Sequence, residues 1–368
     1  MNYPYPTRRE FIRKSAQTAA LLALPNFLYS AGPTHESPKL GVALLGLGNY
    51  ATNQLAPSFA HTRHCRLAGI VTGSPEKADS WKKRYQIPDN NIYDYDNFDS
   101  IKDNPDIDVV YVVTPNALHL PFAARAARAG KHVICEKPME ISVGRCRQMI
   151  EACEKAGVKL QIGYRLQYDP FHQELKRLGT EQIYGKVKVI HSAFSFYGIN
   201  SDNWRFTDPK LSGGGPLMDV GIYCIQGARY ATGEEPMAIT AQGYKSIPEK
   251  LPGMEETICW QMEFPGGAVA NCTSSYVAHD NHIRVSAEKG AYGLYPAFTY
   301  GTLAGYVNDQ SMGEHSHHQQ AAQMDAFALN ITQDTPVVAS GEEGMRDMKY
   351  IEAIYEAART GERVELPG

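Results

Sequence analysis

"LGVALLGLGNYA", Leu40 to Ala51, is the stretch on which the reading of the fold turns. An apolar run stops at a glycine, and Gly46, Gly48 and Ala51 then follow in the spacing G-x-G-x-x-A. Between a strand and a helix this spacing marks a dinucleotide turn. Gly46 makes the turn, Gly48 lets a pyrophosphate approach the backbone, and Ala51 keeps the helix close to the sheet. A plain glycine turn has the same letters, so the surroundings must decide.

Further apolar runs recur at residues 67–71, 109–113, 132–135 and 160–162, with helical segments between them. Such alternation predicts a parallel sheet with crossover helices, a doubly wound domain over 40–163. Its helices carry matching punctuation: Ser74 as N-cap ahead of Pro75, Gly130 after "PFAARAARA", and Gly157 after "VGRCRQMIEACEKA". Past Gly163 the strand-like stretches lengthen, at 186–196, 256–264 and 268–277, and glycine-rich turns join them. These predict a largely antiparallel sheet, with one helix at about 216–231 and another near 344–360. The expected class is α/β: an N-terminal Rossmann domain, then an α+β domain over 164–368.

A chain of 368 residues, 43% of them hydrophobic, is long enough to bury two cores. Its formal net charge of -4 leaves no basic excess to neutralise a row of phosphates, which argues against a nucleic-acid partner. No apolar run reaches the roughly 18 residues that cross a bilayer, so no stable membrane span is expected. The first 31 residues read as an export signal: "TRREFIRK" at 7–14 is basic, and the short apolar stretch 19–24 ends at Pro25. Arg8 and Arg9, followed by Glu10, Phe11, Ile12 and Arg13, match a twin-arginine signal, whose machinery carries folded proteins into the periplasm. Neither Leu28 nor Tyr29 is the small residue a signal peptidase takes ahead of its cut, so an uncleaved anchor is the alternative. Residues 32–39, beginning "GPTHESP", form an arm or linker. Seven cysteines without C-x-x-C give neither a disulfide framework nor a zinc pattern. They fit a chain that folds in a reducing cytosol before export.

The second strand ends at "VTGSPEK", 71–77, where an NAD-binding turn places Asp or Glu for the ribose hydroxyls. Thr72, Ser74 and Lys77 instead offer hydroxyls and a positive charge at a helix start that favours anions. A 2'-phosphate is therefore expected, and hence NADP; the bland alternative leaves Lys77 as a solvated first-turn residue. The run 132–135 ends at Glu136, Lys137 and Pro138, which puts Lys137 on the rim where doubly wound sheets bind ligands. An ion pair between Lys137 and Glu136 is the structural alternative. In "GGGPLMDVGIYCIQGARY", 213–230, Asp219 and Tyr223 are four apart on the expected helix and share a face. Lysine, aspartate and tyrosine together suit hydride transfer from an alcohol, because a base must take the hydroxyl proton as hydride leaves the C–H bond. A phenol with pKa near 10 must fall by roughly three units, about 4 kcal/mol, and one ammonium at about 4 Å supplies that order of energy. Lys137 is thus expected to tune Tyr223 and to hold the substrate oxygen.

These residues lie in motifs spread along most of the chain: "GLGNYATNQ", "GSPEKA", "IYDYDNFD", "TPNALH", "KHVICEKPM", "IGYRLQYDP", "NWRF", "GGGPLMDVGIY" and "IYEAARTG". In that order they resemble the glucose-fructose oxidoreductase and inositol dehydrogenase family, with Tyr223 where many members carry histidine. The resemblance implies that Lys137 and Tyr223 are catalytic, supported by Asp219. It implies cofactor contacts from Gly46, Leu47, Gly48, Asn49, Tyr50, Thr72, Ser74, Lys77, Thr114, Asn116, His119, Glu136 and Lys137. Arg165, Trp204 and Arg205 would frame the nicotinamide end; for Trp204 and Arg205 the alternative is an aromatic–guanidinium stack that fixes a loop.

The resemblance also implies a sugar oxidoreductase of ping-pong type. Tightly held NADP takes hydride from an aldose C1 and returns it to a second sugar, and the arm after the signal clasps a neighbouring subunit in a homo-oligomer. Cofactor retention has a physical argument of its own: no pool of nicotinamide nucleotide is kept outside the inner membrane, so a second substrate must reset it in place. Two other readings stay open, an aldose or cyclitol dehydrogenase with dissociable NADP and a non-catalytic NADP-binding sensor. "EHSHHQQ", 314–320, groups His315, His317 and His318 without carboxylate or cysteine partners suited to a dedicated site, so no metal is expected.

Overall fold

The computed structural model describes residues 38–367. The expected signal segment 1–31 and the expected arm as far as residue 37 lie outside the described residues, so the twin-arginine reading rests on the sequence alone. Six strands form a parallel sheet: β1 (Leu40–Leu45), β2 (Cys65–Val71), β3 (Ile92–Tyr93), β4 (Val109–Val112), β5 (His132–Cys135) and β6 (Leu160–Ile162). Their order is β3-β2-β1-β4-β5-β6. The chain therefore winds away from β1 in one direction and from β4 in the other. The loops after these two strands part and leave a crevice at their carboxyl ends. Both strands are apolar throughout and buried, as a sheet covered by helices on both faces requires. Ser74 caps the helix Pro75–Tyr85 by accepting the Lys77 backbone N–H at 3.2 Å, a bond worth about 1 kcal/mol.

The second sheet has nine strands in the order β14-β13-β12-β11-β7-β10-β9-β8-β15. They are β7 (Val187–Ser195), β8 (Ala238–Tyr244), β9 (Thr257–Glu263), β10 (Val269–Ser275), β11 (Asp280–Ala287), β12 (Gly290–Leu294), β13 (Leu303–Val307), β14 (Gln310–His315) and β15 (Val364–Glu365). Every pairing is antiparallel except that of β7 with β10. Buried and half-buried residues alternate along β9 and β10. One face packs on the helix Ile222–Thr232, whose residues are nearly all buried.

Three features depart from the sequence reading. The expected helix at 216–231 is two pieces, a wide π-turn over Leu217–Gly221 and the α-helix Ile222–Thr232. Strands β11 to β14 form where polar, glycine-bearing sequence gave little alternation to read. The helix Gln319–Thr332 was not anticipated, and it returns to the first sheet. Met324, Phe327 and Ala328, at helical spacing, join Val42, Leu44 and Tyr111 in one core. The division at 163/164 is therefore not a clean cut, because later sequence completes the first core.

Candidate active site

A cavity of about 770 Å³ opens at the carboxyl ends of β1, β4 and β5. Gly46 forms its floor with φ of +97°, and a side chain there would stand 2.7 Å from the Val113 carbonyl oxygen. At Gly48 nothing lies within 4 Å of the place a side chain would take. That open space beside a helix start is what a pyrophosphate needs to reach backbone N–H groups. Leu47, Asn49 and Tyr50 line the same wall, and Thr114 adds a buried hydroxyl with no hydrogen-bond partner. An orphaned polar atom on a cavity wall is satisfied only by a ligand or water. These residues fit a dinucleotide.

Thr72 and Lys77 close one end of the cavity. Lys77 Nζ donates to the Leu47 carbonyl at 3.1 Å, which holds the ammonium over the glycine turn. Ser74 is absent from the wall: its hydroxyl donates to Glu76 at 2.8 Å and accepts the Lys77 N–H. It acts as a helix cap, and its expected part in anion binding is corrected here. Asn116 lines the cavity and donates from Nδ2 to the Ser212 carbonyl at 2.7 Å. His119 lies between the carbonyls of Pro138 and Thr114, each 3.0 Å from a ring nitrogen. Burial lowers its pKa, and the ring packs between the turn bearing Lys137 and the loop after β4.

The other end carries Lys137, Asp219 and Tyr223. Lys137 Nζ donates to the Asp219 backbone carbonyl at 2.5 Å and to Asp219 Oδ1 at 3.4 Å. Asp219 Oδ1 also faces Arg205 Nε at 3.2 Å, and Oδ2 accepts from the Tyr276 hydroxyl at 3.2 Å. Burial alone would raise the Asp219 carboxyl, but Arg205, Lys137 and Tyr276 outweigh it and hold its pKa below the ordinary value. The alternative ion pair of Lys137 with Glu136 does not form. Glu136 instead accepts the Tyr111 hydroxyl at 2.6 Å and the Lys137 backbone N–H at 3.1 Å, and burial pushes its pKa up.

Lys137 Nζ lies 5.0 Å from the Tyr223 ring centre, so the two expected groups converge. The tuning expected of Lys137 is nevertheless corrected. Burial raises the Tyr223 phenol above its ordinary pKa, and the chief influence opposing burial is Arg165. Lys137 is engaged by Asp219, whereas the Arg165 guanidinium carbon lies 5.1 Å from the Tyr223 ring centre and 4.4 Å from that of Tyr300. Arg165 is also not on the cavity wall. It is 1% exposed and donates to the carbonyls of Phe298 and Thr299 and to Gln319 Oε1, behind the two tyrosines. Trp204 and Arg205 do line the cavity, and the Arg205 guanidinium carbon sits 5.1 Å from the Trp204 ring centre. Wall and stack are therefore both realised.

Sequence reasoning missed Tyr300, which lines the cavity with its ring 5.6 Å from Tyr50, and Tyr276 behind Asp219. Among 22 tyrosines, no spacing marks either one. Among the described residues, no group of three or more His, Cys, Asp or Glu is disposed to hold a metal.

The model of an oxidoreductase family with an NAD-binding Rossmann fold matches residues 40–164, and that of the GFO/IDH/MocA C-terminal domain matches 172–293. The chain is 32% identical to D-xylose 1-dehydrogenase [NADP(+)] of Haloarcula marismortui, over 88% of its own length and 92% of that protein. It is 26% identical to D-glucoside 3-dehydrogenase of Escherichia coli, over 90% and 98% respectively. Among solved structures, aldose-aldose oxidoreductase from Caulobacter crescentus, complexed with glycerol, superposes with a TM-score of 0.86 at 42% identity. That match covers 89% of this chain and 100% of the other.

Proposed function

The chain belongs to the GFO/IDH/MocA oxidoreductase family, and on that premise we propose that it moves hydride from C1 of an aldose to NADP and on to a second sugar. One observation carries the reading: a single cavity holds Thr72 and Lys77 at one end and Lys137, Asp219 and Tyr223 at the other. The first pair meets a 2'-phosphate, and Lys77 supplies its countercharge. A bound nicotinamide would supply the hydride acceptor, and then the hydride donor, beside these residues. Lys137 holds the substrate oxygen while Asp219 fixes the ammonium, and Tyr223 takes the hydroxyl proton and later returns it. The aromatic wall of Phe194, Phe196 and Trp204 receives the apolar face of the sugar ring.

The NADP stays bound between the two half-reactions, and the protein works in the periplasm after folded export by the twin-arginine machinery. The Arg8–Arg9 pair and the lack of a nucleotide pool outside the inner membrane support this part. A homo-oligomer is part of the proposal, supported by the half-exposed alternate residues along β9 and β10. A second reading, an aldose dehydrogenase with dissociable NADP, is favoured by the 32% and 29% identity to haloarchaeal D-xylose 1-dehydrogenases that use NADP(+). The assembled Lys137, Asp219 and Tyr223 argue against a non-catalytic sensor.

Gel filtration of protein purified from its native compartment, followed by assays with paired aldoses and ketoses, tests the proposal. Nicotinamide absorbance that stays with the protein, and lactone and polyol formed without added NADP, are the expected results. Turnover that stops until NADP is supplied establishes the dissociable reading instead.

A further inference from the structure

Arg165 differs from the other cations near the cavity. Its acceptors, the carbonyls of Phe298 and Thr299 and the amide of Gln319, are all neutral. Its Nε is buried without a partner. Gln319 cannot turn its nitrogen toward the guanidinium, because Nε2 donates to the buried Asp169 Oδ2 at 3.0 Å. The charge is thus fixed in place by neutral acceptors, with the buried Glu136 carboxyl near enough to feel it, and a further negative group forming nearby would relieve the cost of its burial. The groups that bear most on its charge are phenols, Tyr223 first and then Tyr300 and Tyr50.

We propose that Arg165 is a positioning residue for proton transfer, whose fixed charge behind the Tyr223 ring stabilises the phenolate while touching neither substrate nor cofactor. The inference rests on Tyr223 being the proton carrier. In the oxidation step the phenolate takes the sugar hydroxyl proton, and in the reduction step the phenol returns a proton to the oxygen of the reduced carbonyl. The charged form must therefore exist before each oxidation and is restored by each reduction. Other groups face Tyr223 from each element around it. Glu136 and Lys137 come from the end of β5, Asp219 from the preceding turn, Tyr50 from the glycine turn, and Tyr300 from the loop between β12 and β13. Glu136 and Asp219 oppose the phenolate, and Lys137 is held by Asp219.

The test compares Arg165→Met, apolar and of similar length, with Arg165→Lys, which keeps the charge. A unit charge about 5 Å away at an effective dielectric near 20 moves a pKa by about two units. The acidic limb of the kcat profile for aldose oxidation should move up by roughly one to two pH units in Arg165→Met, with KM little changed. In Arg165→Lys it should stay within about half a unit. Absorbance near 295 nm, taken as the difference between each variant and its Tyr223→Phe counterpart, reads the same titration without turnover. A folded Arg165→Met with the wild-type limb overturns the proposal, and so does an Arg165→Lys limb displaced by two units, should the methionine variant not fold. Tyr223→Phe that keeps wild-type turnover sinks the assignment of Tyr223 itself. An inactive Tyr223→Phe beside an unmoved Arg165→Met limb removes only Arg165.

Discussion

Replacing Asp219 by asparagine keeps the shape of the side chain and removes its charge. Oδ1 lies 3.4 Å from Lys137 Nζ and 3.2 Å from Arg205 Nε, and the side chains of Asp219 and Lys137 are only 13% and 10% exposed. At an effective dielectric near 20 each contact amounts to about 5 kcal/mol of bare attraction. Much of that is offset by desolvation, and breaking a buried pair costs about 3–5 kcal/mol net. Lys137 keeps the Asp219 backbone carbonyl, and Arg205 is 37% exposed, so the low end, about 3 kcal/mol, applies. With an unfolding entropy of about 2.1 cal/mol/K per residue over some 330 residues, that lowers Tm by about 4 °C.

The pH dependence follows from the sign of the shift. The Asp219 carboxyl is held below its ordinary value in the folded protein. Its contribution is therefore present above the unfolded pKa of about 3.9 and is lost as pH falls through the lower folded value. The gap between wild type and Asp219→Asn should be full at pH 7 and shrink below about pH 4. Turnover should fall roughly 10²-fold, the usual effect of misplacing a catalytic group by about 1 Å. Circular dichroism melts across this pH range and absorbance at about 340 nm measure both effects. Equal melting at pH 7, or wild-type turnover, would refute the claim that one carboxylate gathers both cations.

Lys77→Ala should weaken NADP by roughly 10- to 100-fold and leave NAD little changed, since it removes a charge-assisted bond of about 1.5–3 kcal/mol. Fluorescence titration of nucleotide-free protein measures this, and equal losses for the two nucleotides contradict the 2'-phosphate assignment. Gly46→Ala puts a side chain at φ +97° and 2.7 Å from the Val113 carbonyl oxygen. Strain of about 1–3 kcal/mol should open the turn and cost at least tenfold in nucleotide affinity; unchanged affinity moves the pyrophosphate elsewhere.

Where one local rule fixes the answer, the chain was readable. The strand ending at Gly46, the Ser74 cap and the helix stop at Gly157 each follow from the nearest few residues, and each stands where expected. Lys137 and Tyr223 were also legible as a pair, because a strand end and a helix face are local predictions whose meeting the sheet order then arranges. The cation beside Tyr223 was not. Arg165 and Lys137 each lie two or three residues past a strand of the same sheet, and only the positions of Asp219 and Gln319 decide how each charge is engaged. Ser74 misled for a related reason, since a hydroxyl at a helix start serves a backbone N–H as readily as a phosphate. The helix Gln319–Thr332 follows a histidine-rich stretch without a capping signal, so its return to the first core was invisible before the contacts were known.

The most direct test mixes NADP-loaded protein with an aldose in a stopped-flow cell and follows the first appearance of reduced nicotinamide at about 340 nm, for wild type and Tyr223→Phe. If phenol and ammonium serve one hydride transfer, wild type reduces one equivalent of cofactor per chain. Tyr223→Phe, with its cofactor still bound, is then slower by roughly 10² to 10⁴. Equal rates in the two proteins would contradict that claim.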